Sequence, residues 1–453
     1  MMVVGARRKL IVNGVLMSAC FAGLEGCVIA TINLSAAIVP PEVASRSNGI
    51  LYLFFALGTF VAPTIVLRAG SKQCMVASML VYTLYLASYI QADPTLLLIS
   101  AVLGGGAGAV LWVAQGSYFT RNALAYDALR SPRTGSPAVR DEGSSFLESG
   151  SASITAFAGI FAFAFQLVTT LAKPTAALLL TLHPDDPSIL FGALTGAAVV
   201  CSLLMLFVAP FPAYEESSAA HQRPDGAVVA VAAGRSAARA STQSDASNLL
   251  RLLFLDRRAL LLAPYNSAFG LTTAFFPSHV TVLTKAAFHG RAAAVGWLYT
   301  TAGVSSALAA ALAALAAQRF ERARPCSMLL GSAGFGVSCT LAAFGGDDHG
   351  VGLSRGAIGA MYVCYGLGVA AWQGSCMAMV GDLFREDPRA AFAHLKLTSG
   401  LVTFAGFFVL PRLSLRAAAL ATLVVNLLGA ATLGVLLRLA PVRAPVTVRQ
   451  GSA

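Results

Sequence analysis

The stretch Gly104-Gly-Gly-Ala-Gly-Ala-Val-Leu-Trp112-Val-Ala-Gln115-Gly-Ser-Tyr118-Phe-Thr120 closes a long apolar window, and its core returns 260 residues later. There Gly106-x-Gly108-x-x-x-Trp112 is answered by Gly366-x-Gly368-x-x-x-Trp372. A paired glycine cradles a phosphate only where it follows a strand and opens a helix. Here it lies inside an uninterrupted apolar run, where small residues let helices approach closely. Gly104, Gly108, Gly366 and Gly368 are therefore read as helix-packing positions. Two weaker echoes accompany the first: Gly49-x-Leu51-Tyr52 with Gly296-x-Leu298-Tyr299, and Arg68-Ala69 with Arg322-Ala323. The chain thus holds two parallel halves that correspond span by span.

Working outward, apolar windows of about the length that crosses hydrocarbon fall at 10–37, 49–67, 74–90, 96–119, 151–171 and 188–210. Six more fall at 259–284, 292–317, 326–344, 357–381, 390–410 and 415–437. Of the 453 residues 57% are apolar and 11% charged, and the mean hydropathy is +0.73. A soluble protein carries about a quarter charged residues, so a soluble enzyme is excluded. The windows are continuous rather than alternating, which calls for helices and not a transmembrane barrel. The expected fold is an all-α polytopic membrane protein of about twelve transmembrane helices in two pseudo-repeated six-helix bundles.

The net charge of +11 does not point to nucleic acid, because the cations cluster between windows, where they set orientation in a membrane. With twelve spans, 23 of the 31 Lys and Arg fall on the side shared by both termini and 7 on the other, Lys173 among the latter. Both termini are expected in the cytoplasm. The expected organisation is an N-terminal bundle over 1–210, a cytoplasmic, largely disordered linker over 211–256, a C-terminal bundle over 257–440, and a tail over 441–453. Residues 121–150 are expected to form a second polar loop. The cationic start at Arg7, Arg8 and Lys9 leads into an apolar run longer than a signal core, so the first span is expected to be uncleaved. The eight cysteines sit in apolar segments with no C-x-x-C pair, and read as small core residues.

The run Gly104 to Thr120 resembles the uncoordinated-ninety-three-like family of the major facilitator superfamily, ion channel regulatory protein-like membrane proteins. Supporting marks are Leu51-Tyr-Leu-Phe-Phe-Ala-Leu-Gly, Gly70-Ser-Lys72 with Tyr82 and Tyr85, Tyr365-Gly-Leu-Gly-Val-Ala-Ala-Trp372, and Phe392-Ala-His-Leu-Lys396. The resemblance implies the major facilitator fold, a solute site between the halves near mid-membrane, and relatives described as regulators of potassium channels, contributors to potassium homeostasis or escorts of membrane receptors. It implies no substrate. The superfamily loop G-x-x-x-D-R-x-G-R-K reads here as Pro63-x-x-x-Leu67-Arg68-x-Gly70-x-Lys72, without its acid, so the latch between halves is expected to be weaker or built differently.

An ionisable side chain in the bilayer costs about 3 kcal/mol and is a functional hypothesis by default. Glu25, flanked by Gly23 and Gly26 midway along the first span, is either a carboxylate that exchanges a proton or cation as the halves rock, or one arm of a structural hydrogen bond. Trp112, Gln115 and Tyr118, three apart, share a helix face. Trp112 and Gln115, with His279 and Trp372, are candidates for cavity lining. His279, beside Pro277, is alternatively a hydrogen-bonded structural histidine, and Tyr118 an interfacial anchor. Lys396 and Asp382 read as structural, and 183–186 and 347–349 as solvated turns rather than metal sites. No nucleophile–base pair, phosphate loop or metal site is legible, so neither enzyme activity nor a cofactor is expected.

The expected function is transport of a small solute or ion, or a contribution to ion balance, by alternating access, with Glu25 as the coupling group and the lipid bilayer as surroundings. The alternative is a non-transporting regulator or trafficking escort of a partner membrane protein such as an ion channel or receptor.

Overall fold

The computed structural model describes residues 2–130, 165–210, 255–320, 322–346, 352–384 and 388–439. Every regular element among them is helical. The first half supplies α1 (Met2–Ile38), α2 (Pro41–Ala69), α3 (Ser71–Gln91), α4 (Pro94–Arg130), α5 (Phe165–Leu182) and α6 (Pro187–Leu204). The second supplies α7 (Arg257–Ala287), α8 (Ala292–Arg319), α9 (Ala323–Phe344), α10 (Arg355–Gly381), α11 (Pro388–Val409) and α12 (Leu415–Leu439). Each of the twelve contains a window long and apolar enough to cross a membrane.

The ends of these helices are written in short-range chemistry. Pro41, Pro94, Pro187 and Pro388 each open a helix, where the missing N–H costs nothing. The Asp93 carboxylate accepts the Leu96 N–H at 2.9 Å. Asp186 accepts from the Ser188 N–H at 3.1 Å and from its hydroxyl at 2.5 Å, so this acid of the 183–186 turn caps α6. Between α2 and α3 the chain reverses at Gly70, whose φ of +85° suits glycine. Lys72, one residue into α3, then donates to the Leu206 carbonyl at 2.8 Å. In this chain the Gly70-x-Lys72 turn therefore joins α3 to the end of α6 within one unit.

Three expectations change. The fifth helix runs past Leu171 to Leu182, so Lys173, counted above among the outer cations, lies inside it: the apolar character resumes after Lys173-Pro174 and the helix simply continues. The polar segment after Arg121 begins as helix, because α4 extends to Arg130. The spans α7 and α10 are interrupted by single π-helical turns at Phe276–Val280 and Ala371–Cys376. The first contains Pro277, which lacks the N–H for a regular ladder. The linker over 211–254, the loop over 131–150, residues 347–351 and the tail from 440 lie outside the described residues.

The helices group into two compact units, Met1–Ile32 with Ile50–Ala246, and Asn33–Gly49 with Ser247–Ala453. In the first, α3 packs along α4 and α6. In the second, α7 packs along α11 and α12, and α10 along α8 and α9. The segment Asn33–Gly49 belongs to the second because Asn33 and Gly49 pack there. The Asn33 carbonyl accepts the Thr281 hydroxyl at 3.2 Å, and a Cβ on Gly49 would sit 2.6 Å from the Phe408 ring.

The repeated glycines have matching neighbours in the two units. A Cβ on Gly108 would lie 3.1 Å from the Tyr82 ring of α3, and one on Gly368 2.1 Å from the Phe335 ring of α9. Each therefore seats an aromatic ring from the third helix of its unit, and Gly104 seats Tyr85 in the same way. Along α4, Gly105 meets the Leu51 carbonyl of α2, and along α10, Gly366 meets the Ala302 carbonyl of α8, both at under 2.5 Å from an added Cβ. Where no hydrophobic force drives helices together in lipid, such close seats carry the packing.

The start of α7 is fixed to the end of α10 by one residue pair. Asp256 accepts the Arg258 and Ala259 backbone N–H groups, and Arg258 returns two guanidinium bonds at 3.3 and 3.1 Å. Arg258 also donates to the Leu383 carbonyl at 2.5 Å and lies over the Phe384 ring. Burial pulls the Asp256 carboxyl upward, but the bonds from Arg258, its charge and the capped N–H groups outweigh that and hold it below the usual carboxylate range.

Two predictions follow this packing. Gly105→Ala is expected to lower stability by about 1–3 kcal/mol through overpacking, whereas its neighbour Gly106→Ala, with nothing within 4 Å of the new methyl, is expected to be neutral or stabilising; thermal unfolding in detergent separates them. Asp256→Asn keeps the cap but loses the charge that Arg258 meets, and is expected to cost about 0.2–1 kcal/mol at neutral pH. Because the folded pKa is depressed, that difference is present above the unfolded value of about 3.9 and disappears as pH falls through the folded value. Unfolding curves of the two proteins, recorded side by side from neutral pH downward, check the convergence.

Candidate functional site

Glu25 lies on α1 in the first unit and is 4% exposed. The glycines on either side of it are where two other helices close in. A Cβ on Gly23 would touch the Cys201 Sγ of α6 at 2.5 Å, and one on Gly26 would lie 3.2 Å from the Ala172 Cβ and 3.3 Å from the Thr169 Cα of α5. Glu25 thus stands at a three-helix junction, within electrostatic range of the Tyr82 hydroxyl on α3. Phe21, one helical turn before it, meets Trp112 of α4 edge-on at 4.8 Å, and Phe165 of α5 completes the cluster at 5.8 Å from Trp112. Glu25 and Trp112, far apart in sequence, are therefore brought to the same region through Phe21.

Gln115 is buried one turn beyond Trp112. Tyr118, one turn further, donates to the Ala209 carbonyl at 2.7 Å and receives a bond from the Asn13 amide, whose oxygen accepts the Ala209 N–H at 2.8 Å. This closed triangle joins α1, α4 and the end of α6, so Tyr118 has a structural task that its interfacial position alone did not indicate.

The second unit holds Trp372 and His279. Trp372 stands in the π turn of α10, 4% exposed, and its indole N–H donates to the Asn266 Oδ1 of α7 at 2.9 Å. The Asn266 amide in turn donates to the Leu395 carbonyl at 2.7 Å and to the Thr398 hydroxyl. Phe269 stacks on Trp372 at 3.8 Å and 4°, and the Lys396 ammonium rests 5.1 Å over the same ring. From there an aromatic series continues through Phe335, Tyr365, Phe276 and Tyr362 to Tyr299. His279, in the π turn of α7, has its Nε2 2.8 Å from the Leu410 carbonyl. A carbonyl only accepts, so that nitrogen carries the proton and donates.

Two side chains central to these arrangements, Asn13 and Asn266, were not singled out from sequence, and the position of Lys173 within a helix was not foreseen. The asparagines carry no local pattern, since their partners come from distant helices. Lys173 had a signal, a lone cation in an apolar run that resumes with Ala176-Ala-Leu-Leu-Leu180. Among the described residues no group of His, Cys, Asp and Glu is arranged to hold a metal ion. All eight cysteines are free, five of them buried.

A family model described as Ion channel regulatory protein UNC-93 matches residues 44–345, more than half of the chain. Curated relatives include the UNC93-like protein MFSD11 of Xenopus tropicalis, 41% identical over 76 residues, and that of Xenopus laevis, 37% identical over 76 residues. Each alignment spans 17% of this chain and 17% of the relative. Among solved structures, the nucleoside transporter NupG matches with a TM-score of 0.61 at 12% identity, covering 95% of this chain and 99% of that one. A POT family transporter in complex with 5-aminolevulinic acid matches with a TM-score of 0.62 at 10% identity, covering 96% of each. At these identities the likeness concerns the fold, which is that of the major facilitator transporters.

Asn266→Ala is expected to leave the buried Trp372 N–H without its acceptor, at a cost of about 1–3 kcal/mol. Asn266→Asp keeps the acceptor but forfeits the bonds to Leu395 and Thr398, and adds a buried charge. Thermal unfolding followed by tryptophan emission is expected to rank wild type above both variants, with a shifted Trp372 emission in Asn266→Ala.

Proposed function

The chain belongs to the UNC-93 family, and on that premise we propose that it moves a small solute or ion by alternating access, with Glu25 as the coupling group. The observation that carries this reading is the position of Glu25: a carboxylate buried midway along an apolar helix, at a junction where glycines bring α5 and α6 against α1. A charge at that depth is expensive and persists where it does something. Gaining a proton or meeting a cation removes the charge, so the energy of the junction depends on what Glu25 holds. Coupling requires such a dependence. Trp112 and Gln115 are the proposed wall beside it, Trp372 and His279 their proposed counterparts in the second half.

The proposed topology has both termini in the cytoplasm, with halves over 1–210 and 257–440 joined by a cytoplasmic linker and followed by a tail over 441–453. The Lys/Arg bias supports it, and moving Lys173 into a helix removes one cation from the minority side.

A second reading, a regulator or escort of another membrane protein, has an observation of its own. An apolar groove of about 340 Å³ runs between α3 and α4 on the outside of the first unit, lined by Leu84, Ile90, Leu96, Ile99 and Leu103 over a floor of Ser88 and Ser100. A partner's helix fits that chemistry. Ile99→Trp, which fills the groove, is expected to reduce recovery of a partner membrane protein on this reading and to leave solute movement intact on the first.

Rubidium and proton flux in liposomes carrying the purified protein, under imposed potassium and pH gradients, tests the transport reading. Wild type is expected to show flux, and Glu25→Gln to lose it along with its pH dependence. Unchanged flux and pH dependence in Glu25→Gln would make the carboxylate a structural hydrogen-bonding group.

A further inference from the structure

Asn426 lies near the middle of α12 and Ser332 near the middle of α9, and both are buried, 2% and 4% exposed. The Asn426 Nδ2 donates to the Ser332 backbone carbonyl at 2.8 Å. The other polar side-chain atoms of this pair, the Asn426 Oδ1 and the Ser332 Oγ, have no hydrogen-bond partner among the described residues. A buried amide oxygen and a buried hydroxyl left open each forfeit a bond that water would make, and near the middle of a span no bulk solvent is at hand to make it.

Ser332 departs from what its neighbours do. A hydroxyl inside a helix ordinarily turns back to a carbonyl three or four residues earlier, as Ser338 does to Gly334, Thr340 to Gly336, and Thr422 of α12 to Ala418. For Ser332 that carbonyl is Met328. One of its lone pairs serves the helix, and the other accepts the Tyr265 hydroxyl of α7 at 3.4 Å. Tyr265 is held there by α12, because a Cβ on Gly429 would lie 2.8 Å from the Tyr265 Cα and 3.0 Å from the Pro264 carbonyl. The three helices therefore meet at two successive levels: Tyr265 with Met328 and Gly429, and one turn along, Ser332 with Asn426. Glycine stands on both sides of the Asn426 amide, Gly429 one turn along its own helix and Gly336 on α9, where a Cβ would lie 3.3 Å from Nδ2.

We propose that one water molecule is built into the second unit between α9 and α12, donating to the Asn426 Oδ1 and bonded to the Ser332 hydroxyl. The donor set decides the ligand. An amide oxygen and a hydroxyl are neutral, and α7, α9 and α12 carry no acidic residue along their lengths. A cation bound there would bring uncompensated charge into hydrocarbon. Water is neutral, gives the amide oxygen the hydrogen it needs, and can both donate to and accept from a hydroxyl. Internal waters that satisfy a few otherwise open polar groups belong to a fold as its side chains do. The proposal is independent of both functional readings, since a transporter and an escort would carry the same water.

An experimental structure of the purified full-length protein, at a resolution that shows ordered water, is the direct test. A density peak is expected within about 3.2 Å of both the Asn426 Oδ1 and the Ser332 Oγ. A direct bond between those two atoms, or close packing with no peak, overturns the proposal. Thermal unfolding in detergent is the second test, and there the sign decides. Ser332→Ala keeps the backbone carbonyl that Asn426 uses, and is expected to lower the melting temperature, with the unfolded-to-folded ratio raised about fivefold by the loss of one ordinary hydrogen bond. Removing a hydroxyl that bonds nothing would instead leave stability unchanged or raise it, and that result overturns the proposal. In an Asn426→Leu background, where the water has already lost its amide, Ser332→Ala is expected to have little effect; an equal loss in both backgrounds shows that no water couples the two side chains. Exchanging sodium for choline in the buffer is expected to change nothing, and a melting temperature that rises with sodium would make the ligand a cation and overturn the assignment. Should Asn426→Leu fail to fold, the density and the sign of the Ser332→Ala shift decide alone.

Discussion

In hydrocarbon, neither water nor a hydrophobic force between helices is available, so everything in this fold depends on how closely backbones can meet. The seats of α4 and α10 show what that constraint selects. Gly108 accepts the Tyr82 ring and Gly368 the Phe335 ring, while Gly105 and Gly366 let carbonyls of α2 and α8 come within reach. A methyl group at Gly105, Gly366 or Gly368 would meet another atom well inside van der Waals distance. The glycines recur in the sequence because the same three-helix contact is built twice.

That recurrence explains why the architecture was legible. A close seat demands glycine, and a membrane span demands an apolar run, so both are written in the sequence itself. The polar pairings leave none. Asn266 is an asparagine in an apolar window until α10 brings Trp372 and α11 brings Leu395 and Thr398 to it. Asn13 is likewise unremarkable until Tyr118 and Ala209 converge on it. Lys173 differs: one lysine and one proline interrupt the apolar run in sequence, whereas the helix passes through both. The π turns were signalled at Pro277 alone, and at Ala371–Cys376 by nothing local.

The two units use their shared plan differently. Trp112 meets Phe21 by its edge, next to a buried carboxylate. Trp372 lies flat on Phe269, with its N–H bonded and a cation above its ring. Beyond it, rings follow one another to Tyr299, whose hydroxyl lies 3.2 Å from that of Thr281, and Tyr362 reaches Thr284 at 3.1 Å. Stacked rings with bonded hydroxyls have few alternative arrangements, because close packing resists change in discrete steps. Both π turns fall in this unit, in the helices that carry the stack, and such turns shift the register of side chains without breaking the helix.

This asymmetry distinguishes the ionisable groups of the two units. In the second unit the intramembrane cation Lys396 already rests on an aromatic ring, and the titratable His279 is committed through one nitrogen to a backbone carbonyl. Both groups are thus placed against a fixed neighbour. In the first unit the carboxylate lies next to a crossing of small residues, Gly26 against Thr169 and Ala172. The proposed coupling carboxylate thus sits beside glycines, whereas Trp372 and His279 of the second unit sit among packed rings and bonded carbonyls.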